Sequence, residues 1–172
     1  MENVRIETGA DITLKDYRGW HFFLYYLNGM TGILNTLGVI AITAISVFII
    51  AHKAMTGDWH FKFAEIAMLV MDVYMLSVPA VIFYDTKENF GSEKFKAENG
   101  KLTITPESIE MASENGNARI TWDTVGRAYV TRAAIYLEYA KFTAVIIPKR
   151  FLKDKQEQEL ISIIKSKGKI KK

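Results

Sequence analysis

Cysteine is absent from all 172 residues. That excludes disulfides, thiolate metal sites and cysteine nucleophiles together, and it suits a reducing compartment. Histidine is almost as scarce: the chain has three, and none follows His60. The long C-terminal part therefore lacks an imidazole for general acid–base work. Charge of one sign is not in excess either, since 22 Lys and Arg against 19 Asp and Glu leave a net charge of +3. This is too little for the basic footprint of a nucleic-acid binder. Glycine-rich phosphate loops, metal-spaced clusters and paired-carboxylate patterns are also missing. No enzymatic activity, cofactor, metal site or nucleic-acid partner is expected.

What the chain does have is two long apolar runs set back to back. Met30–Ala51 carries no charged residue, and Ala64–Tyr84 is interrupted only by Glu65 and Asp72. At 1.5 Å per residue each rises roughly 31–33 Å, the thickness of a bilayer's hydrocarbon core. The mean hydropathy of +0.06 averages this part with a very polar remainder. The first 18 residues are of mixed charge, so the first run is expected to act as an uncleaved signal anchor.

Orientation follows from Lys and Arg near the run ends. Arg5, Lys15 and Arg18 precede the first run, and Lys87, Lys94, Lys96 and Lys101 follow the second, against Lys53 and Lys62 between them. Both termini are thus expected in the cytoplasm with the connecting loop outside. Trp59, Phe61 and Phe63 on one side, and Trp20, Phe22, Phe23, Tyr25 and Tyr26 on the other, read as interfacial aromatics.

Outside the runs the period changes. Val4–Thr8 alternates weakly, as one strand would. Thr13, a plausible N-cap, opens a helical pattern to about Leu27 through Leu14, Tyr17, Trp20, His21 and Leu24. After Tyr84 the period becomes two. Asn99-Gly100 and Asn115-Gly116 read as hairpin turns, joining Glu93–Glu98 to Lys101–Thr105 and Ser108–Ser113 to Ala118–Trp122. Further strands are expected near Arg127–Arg132, Ile135–Tyr139 and Phe142–Ile147, with Pro148 as the stop. Asp154–Lys165 closes the chain as a helix with Leu160, Ile161 and Ile164 on its buried face. The expected organisation is an N-terminal strand and amphipathic helix (1–29), a two-helix transmembrane hairpin (30–84) and a cytoplasmic α+β domain (85–172). That domain is expected to be an antiparallel sheet or small barrel with a C-terminal helix, PH-like in element order. Because both ends of the hairpin face one side, the N-terminal strand can reach the C-terminal sheet.

Three stretches carry a resemblance: ITLKDYRGWHFFLYY before the first run, Ile120-Thr121-Trp122-Asp123, and Ile146-Ile147-Pro148-Lys149-Arg150-Phe151. With the hairpin between them, the chain resembles the YcxB-like family of bacterial membrane proteins. The resemblance implies a cytoplasmic β-rich domain carried on a hairpin in the bacterial cytoplasmic membrane. It implies no catalytic residues. Asp72 departs from what the family leads one to expect.

Asp72 is the sharpest candidate for chemistry. An aspartate at a helix centre costs about 2.5–3.5 kcal/mol on the insertion scale, which leaves the second run marginal on its own. At about 100° per residue, Gly32, Asn35, Thr36, Thr43 and Ser46 share one arc of the first helix. Glu65 and Asp72 share one face of the second. In an antiparallel hairpin the hydroxyl of Thr43 or Ser46 comes to the depth of Asp72. Three readings follow: a structural polar seam, a homo-oligomer interface, or a proton- or cation-handling site. Met68, Met71 and Met75 read as packing, and His52, His60 and Asp58 match no rigid zinc spacing. His21 reads as interfacial.

Lys149, Arg150 and Lys153 are either solvated cations after a strand-ending proline or contacts for an anionic headgroup or acidic partner at the inner surface. Lys165, Lys167, Lys169, Lys171 and Lys172 form a basic tail, either solvated or drawn to an anionic leaflet. Trp122-Asp123 reads as a core indole beside a turn carboxylate. The leading function is a membrane-tethered binding or regulatory module. The runner-up is a subunit of a small oligomeric transporter or channel using Asp72.

Overall fold

A computed structural model describes residues 4–9, 11–90, 100–113 and 116–170. The chain divides into two compact units, one of Met1–Trp20 with Thr86–Lys172 and one of His21–Asp85.

The first unit begins before the apolar runs and resumes after them. Strand β1 (Ile6–Gly9) pairs antiparallel with β2 (Lys101–Ile104), Ile6 opposite Ile104 and Gly9 opposite Lys101. Strands β3 (Ser108–Ser113) and β4 (Gly116–Thr121) complete a four-stranded antiparallel sheet in the order β1-β2-β3-β4. A second sheet has the order β5-β6-β7, formed by Arg127–Val130, Ala134–Ala140 and Thr143–Pro148. Period-two alternation turns Ile6, Leu102, Ile104 and Ile109 inward, where they meet Ile135, Leu137 and Ile147 of the second sheet. Each such fully buried side chain contributes about 1.5–3 kcal/mol of transfer free energy. The last helix, called α4 here (Asp154–Ser166), lays Leu160, Ile163 and Ile164 on the same core. Ile163 rather than Ile161 is the fully buried third residue of that face.

Local chemistry sets the ends of these elements. Helix α1 (Leu14–Phe22) starts at a reciprocal cap. The Thr13 backbone N–H donates to Asp16 Oδ2 at 2.8 Å, and the Asp16 N–H donates to Thr13 Oγ1 at 3.4 Å. Ser113 pairs with Gly116, so Gly116 opens β4 instead of sitting at the turn centre. The expected strand Glu93–Glu98 and the turn residues Asn99 and Asn115 lie outside the described residues. The tail is less free than expected. After α4, Ala128 N donates to the Lys169 carbonyl at 2.8 Å and a parallel bridge joins Ala128 to Ile170. Lys171 and Lys172 lie outside the described residues.

The second unit contains helices α2 (Gly29–Thr56) and most of α3 (Phe63–Phe90), each of 28 residues. Both are long and apolar enough to cross a membrane, with a rise of about 42 Å each. The single helix expected from Thr13 to Leu27 is instead α1 followed by a π-helical turn over Phe23–Leu27. Two side chains of α2 explain the change, because they take carbonyls of that turn. Asn35 Nδ2 donates to the Tyr25 carbonyl at 3.3 Å, and Thr36 Oγ1 to the Tyr26 carbonyl at 2.9 Å. Gly32 lets the turn lie against α2: a Cβ there would stand 2.8 Å from Leu27 N. Gly29, at a φ of +62°, makes the bend that starts α2.

Candidate functional site

Within the hairpin unit the polar residues separate into three groups. The first joins the two helices at mid-length, where Thr43 Oγ1 donates to Asp72 Oδ1 at 2.7 Å. Asp72 is buried to 9% exposure, an unusual state for a carboxylate in the middle of a long apolar run. Ser46 is buried too, and its Oγ has no hydrogen-bond partner. The second group is Asn35 with Thr36, which hold the π-helical turn. Asn35 therefore leaves the seam to which the helical wheel assigns it, because its amide faces the preceding turn of chain.

The third group is at the loop end and takes Glu65 out of the seam as well. Glu65 Oε2 accepts the Lys62 backbone N–H at 2.8 Å and stands 3.5 Å from Lys53 Nζ. Lys53 is the residue that sequence reasoning misses. Counted as a loop cation, it is a buried side chain in the last turn of α2. Its ammonium donates to the His60 carbonyl, lies 3.8 Å from Asp58 Oδ2 and sits 5.6 Å from the centre of the Phe61 ring. The His60 backbone N–H, donating to Asp58 Oδ1 at 3.0 Å, holds the Asp58 carboxyl below the usual carboxylate range. A lysine ending an apolar helix, with acids five and twelve positions later, is the signal that could have found it. The cluster ties the loop down around one cation. His52 is the neighbour of Phe48, and His21 is half-buried, which lowers its pKa against the pull of Asp85.

In the first unit two of the cations after Pro148 find partners within the unit. Arg150 Nη1 and Nη2 reach Asp16 Oδ1 and Oδ2 at 2.6 Å each, and Nη2 also donates to the Asp11 carbonyl at 3.1 Å. The guanidinium lies 4.6 Å from the centre of the Phe151 ring. Asp16 thus caps α1 and receives a two-pronged arginine at once. Burial works to raise its pKa, but the hydrogen bonds from Arg150 and Thr13 prevail and leave it lowered. Lys149 Nζ pairs with Glu157 at 2.7 Å. Of the three residues expected to meet a headgroup or partner, Lys149 and Arg150 have their charge matched inside the unit, and Lys153 has an exposed side chain. The Lys153 backbone N–H donates to Gln156 Oε1 at 3.0 Å, at the start of α4.

Trp20 corrects the expectation of an interfacial aromatic. It is 1% exposed, with its ring 5.0 Å from Tyr136 and 6.1 Å from Tyr129, and its indole N–H donates to the Phe142 carbonyl at 3.0 Å. Close by, the stretch that leaves the apolar runs is held by Arg18 Nε donating to Thr86 Oγ1 at 3.3 Å and by Tyr17 beside Phe90 at 6.1 Å. The segments on both sides of the hairpin therefore belong to one packed body. Trp122 is a core residue whose indole N–H donates to the Thr105 carbonyl at 2.9 Å.

Residues 104–164 match the family model described as YcxB-like protein, and the chain carries a YcxB-like domain over that range. The match runs from the last residue of β2 into α4, roughly a third of the chain. No curated protein and no solved structure matches it.

Proposed function

We propose that the protein is a membrane-tethered binding module. In this reading α2 and α3 cross the bilayer as a hairpin and hold a PH-like domain at the inner surface, where it meets a protein, a peptide or an anionic headgroup. One observation carries the reading. Strand β1 precedes the hairpin and pairs in register with β2, which follows it. A two-span hairpin returns the chain to the side it left, so one sheet can be built from both of its ends. The arrangement of four strands, then three, then a C-terminal helix supports the PH-like assignment. The Lys and Arg excess beside the outer ends of the helices supports the inner side. The apolar side chains exposed along α2 and α3 support insertion.

The absence of cysteine makes the topology simple to test. In intact cells, an impermeant maleimide should label Trp59→Cys in the loop, and label Lys155→Cys only after permeabilisation. The reverse pattern would overturn the reading. The binding half is tested by a photo-crosslinking amino acid at Lys153 in native membranes. A discrete lipid or protein adduct is expected, and its absence sinks the module reading.

A second reading, an oligomeric transporter or channel subunit, draws on Asp72 and on the buried, unpartnered Ser46 hydroxyl. Two helices enclose no pathway, so it requires several copies. Ion flux in proteoliposomes that is the same for the natural chain and Asp72→Asn would dispose of it.

A further inference from the structure

The soluble unit keeps its large apolar side chains inside with two exceptions among the described residues, Val130 and Phe142. Val130 is marginal at 37% exposure, whereas Phe142 is 63% exposed at the tip of the β6–β7 hairpin. Phe142 also has a φ of 65°, the left-handed region that glycine and asparagine favour and bulky residues avoid. An exposed aromatic in such a position gains no burial in the folded unit to offset the backbone cost. Ala140 pairs with Thr143, so the two-residue turn calls for a left-handed residue that glycine or asparagine would supply without strain. Strain of this kind clusters at functional sites.

The surroundings indicate the task. Lys141 Nζ lies 5.2 Å from the centre of the Phe142 ring, so the tip presents an aromatic ring with an ammonium beside it. Thr143, the next residue, is exposed as well. An aromatic that settles at headgroup level, with a lysine reaching to phosphate, is the composition of a bilayer interface. The tip is also tied to the chain that leads into the hairpin. The Phe142 carbonyl is held by the indole of Trp20, the last residue of the unit's N-terminal segment and nine positions before Gly29, which opens α2.

We infer that the Lys141–Phe142 tip is a second, shallow membrane contact, with the Phe142 ring in the headgroup layer of an anionic leaflet and Lys141 on its phosphates. This rests on the membrane reading of α2 and α3, and the test separates the two. Single cysteines replace Thr143, Val47 in α2 and Lys155 on α4, and each carries an environment-sensitive fluorophore on the full chain. The protein is reconstituted in phosphatidylcholine–phosphatidylglycerol vesicles. The probe at 143 should be quenched by headgroup spin-labelled lipid, that at 47 by acyl-chain spin label, and that at 155 by aqueous iodide. Phe142→Asn, which suits the left-handed backbone and so preserves the fold, should shift the probe at 143 from lipid to iodide quenching. Removing the anionic lipid should weaken the lipid quenching at 143.

Iodide quenching at 143 with deep quenching at 47 would overturn the inference and leave the membrane reading intact. Shielding of 143 from both iodide and lipid would also overturn it, in favour of a second copy or another protein on the tip. Iodide access at 47 would overturn both readings.

Discussion

The two units solve opposite problems with the same twenty side chains. The first buries Ile, Leu, Val and Trp between two sheets and a helix, and shows charge outside. The second shows its apolar side chains along both helices. Among the described residues, it also holds the two charged side chains that are buried, Lys53 and Asp72. In water a buried charge without partners costs several kcal/mol. In a bilayer the polar group turned away from lipid is the protected one, so the inversion supports the membrane reading proposed above. Each buried charge is met accordingly, Lys53 by carbonyl, carboxylate and ring, and Asp72 by Thr43.

The contrast can be broken from either end. Trp20→Ala removes the largest fully buried side chain among the described residues of the first unit and should cost about 3–5 kcal/mol. Thermal unfolding followed by circular dichroism in nanodiscs should show loss of the β signal at a lower temperature, while α2 and α3 remain helical. If sheet and helices melt together, the two units are not energetically separate. In the opposite sense, Asp72→Leu should make insertion of the isolated α3 segment more favourable by about 3 kcal/mol on the translocon scale. A glycosylation-reporter assay measures this, and no change would mean that Asp72 does not lie in the hydrocarbon core.

Smaller effects sharpen the comparison. Asp16→Ala loses both the α1 cap and the Arg150 pair, about 2 kcal/mol in denaturant titration. The pair is partly open to solvent, with Arg150 at 44% side-chain exposure, so Arg150→Ala alone should cost about 1 kcal/mol. The lowered pKa of Asp16 gives the pH sign. Its contribution is complete above the unfolded carboxyl value of about 3.9 and fades as pH falls through the lower folded value. Asp16→Asn should therefore flatten the acid limb of the stability curve below about pH 4. The smallest effect is at the seam. Thr43→Val should weaken the hairpin by about 0.6 kcal/mol, the average for hydrogen bonds between membrane helices. A double-mutant cycle with Asp72→Asn in detergent measures it, and zero coupling would deny the bond an energetic role.

Patterns contained within one element are legible in the amino-acid sequence alone. Leu160 and Ile164 fall on one face of α4, the alternation of Ser108–Ser113 marks β3, and the two long apolar runs mark α2 and α3. Thr43 or Ser46 opposite Asp72 follows from helix geometry, since a hairpin fixes depth and a wheel fixes direction. That Thr43 is the donor is seen only in the structure. Residues whose partners are far away in sequence are the ones that periodicity misreads. An aromatic in Trp20's position looks interfacial until Tyr129, Tyr136 and Phe142 are folded around it. Arg150 looks solvated because Asp16, which holds it, is more than a hundred positions earlier. Asn35 falls in the right arc but takes a different partner, because periodicity says nothing about a chain that doubles back at Gly29. Lys53 passes for a topological charge because charge counts carry no information on burial.

The pairing of β1 with β2 also orders events in time. Ile6 and Ile104 are about a hundred positions apart, and in a free chain the search for that register slows with the length of the intervening loop. Here the intervening loop is the hairpin itself. Once α2 and α3 stand side by side, the long loop becomes two short arms leaving neighbouring points. In the proposed membrane reading, insertion would act as a template for the first sheet, and a chain that failed to insert would leave the edge of β2 without its neighbour. On that reading, assembly of the first unit would report on whether the membrane step has already succeeded.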